Sequence, residues 1–134
     1  MNKSLTIISI AFFMTCGSAS SAQDQADTML ADLAIPLMEG LRENGDAAML
    51  FDSPGGRIIN VEAKGVVAAS EVYQYYQAVL PSLGWVVSES IASGMICEGT
   101  ADYCLMAIRE DENLTLNIDM SGSTSKITYA ISPN

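Results

Sequence analysis

A chain of 134 residues with 16 acidic and six basic side chains, a net charge of −10 and no histidine excludes several functions at once. Its acidity repels phosphate backbones and anionic lipid surfaces, so nucleic acid is not an expected partner. The missing histidine removes the usual general base, the Ser-His-Asp and Cys-His arrangements, and nearly all catalytic zinc sites.

The chain opens Met1-Asn2-Lys3, continues through an apolar run from Leu5 to Met14, and turns small and polar at Gly17-Ser18-Ala19-Ser20-Ser21-Ala22. That order predicts a secretory signal peptide over residues 1–22, cut after Ala22 so that Gln23 starts the mature chain. The apolar run is shorter than the roughly 20 residues a spanning helix needs. Two other readings are weaker. A retained anchor would be followed by basic residues, and lipoprotein processing at Cys16 favours a small residue just ahead, where Phe13-Met14-Thr15 stands. The mature chain keeps Arg42, Arg57, Lys64, Arg109 and Lys126 against all 16 acids, five minus 16, a net charge of −11. Roughly 110 residues suffice for one modest core. The expected location is the periplasm, with no stable membrane span after cleavage.

Cleavage leaves an even cysteine pair, Cys97 and Cys104, in a compartment where disulfides persist. Their spacing suits two strands flanking a loop and predicts a bridge; two buried free thiols are the alternative.

Residues 23–47 are expected to be an irregular N-terminal segment ahead of a single domain over residues 48–134. Leu30, Leu33, Leu37 and Leu41 suggest a helical stripe, but Pro36 and Gly40 interrupt it, which leaves a short helical turn. Asn44-Gly45 reads as a turn into the first strand. Met49-Leu50-Phe51 and Arg57 to Gly65 predict two strands joined through Asp52-Ser53-Pro54-Gly55-Gly56. Val72, Tyr75, Tyr76, Val79, Leu80 and Leu83 recur at helical spacing, so a helix is expected over about residues 69–82, closed by Pro81 and Gly84. Period-two alternation then predicts strands: Trp85, Val87 and Ile91 on one face; Leu105 and Ala107 opposite Cys104, Met106 and Ile108; Leu114 to Met120; Ile127 to Ile131. The fold class is α+β: an antiparallel sheet of about five to six strands, its C-terminal half a meander, with one main helix on one face.

No motif carries chemistry. Ser123-Thr124-Ser125-Lys126 matches S-x-x-K, but in a turn running into a strand where the pattern wants a helix. Glu110-Asp111-Glu112 lies in an expected hairpin tip with nothing to split its pKa values. Gly55-Gly56 leads into a strand and not a phosphate-cradling helix start, the acids lack the spacing of a calcium loop, and Asn113-Leu114-Thr115 is a glycosylation sequon in a chain of bacterial style. No cofactor, metal or catalytic residue is expected. Tyr73, Met106 and Ile108 are the candidate interaction surface: Tyr73 points away from the buried stripe of the helix, and one helix cannot cover the whole far side of such a sheet. Met95, Met106 and Met120 could instead line a pocket for an apolar ligand.

Ile35-Pro36-Leu37-Met38-Glu39-Gly40-Leu41, Phe51-Asp52-Ser53-Pro54-Gly55-Gly56-Arg57-Ile58, and Val72-Tyr73-Gln74-Tyr75-Tyr76 through Leu80-Pro81-Ser82-Leu83-Gly84-Trp85 resemble an uncharacterised family of small exported alphaproteobacterial proteins. That family shares P-x-M-x-G-L, F-D-x-P-x-G-R-I and L-P-x-L-G-W segments. The resemblance spans about residues 35–134 and implies an envelope location and a compact α+β fold, with no activity or functional residues. The cysteine pair departs from the pattern, as does Ala68, where relatives tend to place a helix-capping serine. The expected function is a non-enzymatic periplasmic accessory or binding module docking an envelope protein. A small carrier of an apolar ligand is the alternative, and a histidine-free enzyme a more distant one. The sequence sets no oligomeric state.

Overall fold

The structure, a computed structural model, describes residues 28–88 and 101–134. The expected signal peptide, Gln23, Ile91, Met95 and Cys97 lie outside the described residues. The elements are α1 (Met29–Asp32), β1 (Leu41–Ser53), β2 (Gly56–Gly65), α2 (Ala69–Val79), a 3₁₀ turn (Leu80–Leu83), β3 (Val86–Val87), β4 (Tyr103–Arg109), β5 (Glu112–Ser121) and β6 (Thr124–Pro133). All strands join one antiparallel sheet in the order β1-β2-β6-β5-β4-β3. The class is a β-rich α+β fold, and its main helix is short.

Alternation along the strands builds the core. Ile59 pairs with Ile131, Ile131 with Leu114, and Leu114 with Ala107, so one apolar row crosses four strands. Val61, Tyr129, Leu116 and Leu105 form the next row. All eight are buried. Burying a large aliphatic side chain stabilises by about 1.5–3 kcal/mol, so a one-residue slip that turned these rows to solvent is excluded.

α2 covers this inner face. Val72, Tyr76 and Leu80, four residues apart, are buried, while Glu71, Gln74 and Gln77 stay exposed. The helix gives way at Val79 to the 3₁₀ turn, in which Pro81 sits near the start, where its missing N–H removes no bond. Gly84 ends the turn at φ +84°, with Trp85 N–H donating to Leu80 O at 3.1 Å and Gly84 N–H to Pro81 O at 3.2 Å. This paired closure needs a left-handed residue, and it delivers Trp85 into the core. The Arg109 guanidinium lies 4.2 Å from the Trp85 ring.

The path of the chain decides what stays open. β1 and β2 form a hairpin, α2 carries the chain to the far edge at β3, and the meander β4-β5-β6 returns until β6 pairs with β2. One face of the sheet therefore lies under α2 and the N-terminal segment. The other, the outer face, has no helix on it among the described residues.

The N-terminal part differs from expectation. β1 begins at Leu41, and Asn44-Gly45 opens a bulge in which residues 45–48 oppose Val61 alone. Turn chemistry there is overridden because Lys64 and Ala63 extend β2 far enough to pair with Arg42 and Glu43. α1 is the expected short helical turn, and Leu30, Leu33, Ile35 and Leu41 all join the core. The domain thus extends N-terminal of residue 48. The Glu43 carboxylate accepts Met29 N–H at 2.9 Å and Leu30 N–H at 3.1 Å, tying α1 to β1. Close backbone approach locks the join: a Cβ on Gly65 would collide with the Gly40 carbonyl oxygen.

Candidate functional site

The cross-strand pairs assign side chains to the outer face. Val86 pairs with Ile108, and Met106 with Thr115, on the side opposite the buried Leu105 and Ala107. Val86, Met106 and Ile108 are 73, 46 and 43 % exposed. They form an apolar strip along the β3–β4 edge. Asn113, Thr115 and Asn117 of β5 and Thr128 and Ser132 of β6 make the middle of the face polar. A second apolar group, Met49, Phe51 and Ile58, closes the opposite edge.

Tyr73 does not join this surface. Its ring is half-buried and lies 5.6 Å from Tyr103, which pairs with the buried Ile118 on the inner side of the sheet. Helical spacing correctly turns Tyr73 off the Val72–Tyr76 stripe, but the partner it finds is 30 positions away in the chain, beyond any local signal. The nominated trio therefore divides into Met106 and Ile108 on one face and Tyr73 on the other.

The methionine pocket is corrected in the same way. Met120 shares the inner side with Ile118, while Met106 lies on the outer face, so the two cannot line one cavity. Between helix and sheet stand Tyr76, Trp85 and Tyr129, all buried. A small apolar cleft of about 330 Å³ lies elsewhere, between Ala31, Ala34, Ile35, Pro36 and Leu83.

Charge gathers at the end of the sheet where the β1–β2 and β4–β5 turns meet. A groove of about 760 Å³ is lined there by Asp52, Arg57, Arg109, Asp111, Glu112 and Pro133, among others. Glu112 is not a free turn carboxylate: Arg57 Nε donates to it at 2.6 Å, and Arg109 approaches at 3.7 Å. The hydrogen bond from Arg57 holds the Glu112 carboxyl below the usual carboxylate range, with partial burial opposing it, and raises the Arg57 guanidinium in return. Both arginines of the groove thus turn to Glu112, while Asp52, Glu110 and Asp111 line the same groove.

The S-x-x-K residues are likewise engaged separately. Ser125 is buried with its hydroxyl donating to Val67 O, Lys126 pairs with Glu62 at 3.8 Å, and Ser123 sits in the exposed β5–β6 turn. Among the described residues no group of three or more cysteine and carboxylate ligands converges to hold a metal. Cys104 is buried on the outer face opposite Asn117, whose Oδ1 is buried without a hydrogen-bond partner among the described residues.

These features define a β-rich α+β domain with one helix-covered face and one open face whose margins are apolar. No family model, no curated protein and no solved structure matches the chain.

Proposed function

We propose that this chain is a non-enzymatic binding module of the bacterial cell envelope, exported to the periplasm through cleavage after Ala22, which docks a protein partner on the outer face of β3 and β4. The observation that carries this reading is the contiguous strip Val86, Met106 and Ile108, three large apolar side chains in adjacent strands left to solvent. Apolar side chains framed by polar ones favour a protein surface of matching shape. The Cys97–Cys104 bridge belongs to the same reading: Cys104 shares the outer face of β4 with Met106 and Ile108, and closing so short a loop would stabilise by about 2–3 kcal/mol.

The test separates docking from folding. A Met106→Ser/Ile108→Ser variant should lose partner capture from a periplasmic extract while keeping a cooperative urea transition, because both side chains lie outside the core. Unchanged capture, or a collapse of stability with no separable loss of capture, sinks the proposal.

A further inference from the structure

β1 is the terminal strand of the sheet, and among the described residues no other strand pairs with the side of residues 49–53 that faces away from β2. Such an edge is a template for another strand, and proteins that remain single commonly blunt it with lysine, proline or a bulge. Here the bulge at residues 45–48 stops short of the segment, and Pro54 lies in the turn beyond it. Between them Met49-Leu50-Phe51-Asp52-Ser53 pairs regularly with β2 and carries no cation. Met49, Leu50 and Phe51 are 65, 54 and 60 % exposed. Met49 and Phe51 belong to the outer face, whereas Leu50, opposite the buried Ile59, belongs to the inner one.

We propose that this edge pairs antiparallel with β1 of a second copy, about a two-fold axis through Leu50 and perpendicular to the sheet. Such an axis keeps like faces together, so each residue opposes one of its own face. The bulge and charge then select the register. Centring on Met49 runs residues 50–52 of each copy onto the bulge at residues 45–48 of the other, and centring on Phe51 sets Leu50 against Asp52, an unfavourable cross-strand pair. Centring on Leu50 opposes Met49 with Phe51 and Asp52 with Ala48, so apolar meets apolar and no carboxylate meets another. Asp52 stands across from Arg57 of β2, whose guanidinium is held by Glu112. The two sheets become continuous across the axis, with Met49, Phe51 and Ile58 of both copies in one outer cluster. Met49-Leu50-Phe51 is uncharged and matches itself across the axis, and anionic lipid repels so acidic a molecule.

The two copies repel at long range, so salt should tighten the dimer by screening. Equilibrium sedimentation of the protein over a dilution series should show a monomer–dimer equilibrium that moves toward dimer as sodium chloride is added. Leu50→Asp should be monomeric, and Val66→Asp, on a connector away from the edge, should dimerise as the parent does. Opposed Cα atoms lie about 4.5–5.5 Å apart in such a pair, within disulfide reach, so Leu50→Cys should cross-link to a dimer on oxidation and Val66→Cys should not. A monomer at every concentration and salt, or equal cross-linking of the two cysteine variants, overturns the proposal. Capture of monomer by zwitterionic vesicles, with no dimer in solution, overturns it in favour of a lipid-facing hairpin. The Met106→Ser/Ile108→Ser variant should still dimerise, so failure of this inference and failure of outer-face docking are read separately.

Discussion

Two hydroxyls inside an apolar core show how a single proton can set the worth of a residue. Tyr76 and Tyr129 place their oxygens 2.8 Å apart, and the Tyr76 oxygen is also 3.0 Å from Pro36 O. A carbonyl only accepts, so Tyr76 donates to Pro36 and must accept from Tyr129. Tyr76→Phe therefore strands both the Tyr129 hydroxyl and the Pro36 carbonyl and should cost about 1–3 kcal/mol. Tyr129→Phe leaves Tyr76 bonded to Pro36 and should cost about 0.5–1.5 kcal/mol. Urea midpoints of the two variants test the order; an equal or reversed ranking would mean that the direction of the chain is wrong. The position of Tyr76 on the buried stripe is legible from helical spacing. Its partners, 40 and 53 residues away, are not.

At the scale of the element, α2 shows both what a helix signals locally and what it lacks. Its closure is written in Pro81 and Gly84, and the 3₁₀ turn accounts for the helix ending at Val79 while the apolar pattern continues to Leu83. Its start is less well made. Ala68 has the extended backbone of an N-cap, φ −67° and ψ 137°, but no side chain to receive the first free amides. Ala68→Ser should therefore raise stability by about 1 kcal/mol, seen as a higher thermal midpoint; no gain would mean that those amides are already satisfied. β1 teaches the opposite lesson. Gly45 and its neighbours carry turn residues, and they remain in a strand only because β2 offers partners on both sides of the bulge.

For the molecule as a whole, the buried tyrosine pair predicts alkaline lability. Burial pushes Tyr76 from 10 up to about 12, and burial together with the neighbouring Tyr76 pushes Tyr129 higher still. The folded state thus holds two protons that the unfolded chain releases near pH 10. Their stabilisation is complete below that pH and is lost as the pH rises from 10 toward 12, with repulsion among the acids adding to the loss. Unfolding free energy measured across this range should fall steeply in the parent and less steeply in Tyr76→Phe/Tyr129→Phe; parallel profiles would remove the tyrosines as the cause.

The sequence by itself determined the α+β class, the period-two strands from Arg57 to Gly65 and from Leu105 to Ile131, and the extent of the helical region, because alternation and turn chemistry act between residues a few positions apart. Tertiary structure decided which face α2 covers, and hence that Met106 and Ile108 stay open while Tyr73 turns to Tyr103. It also decided that Glu112 is held by two arginines and that Leu30, Leu33 and Ile35 belong to the core. Each of these depends on strand register and on where the crossover lands, properties of long-range pairing that no local period encodes.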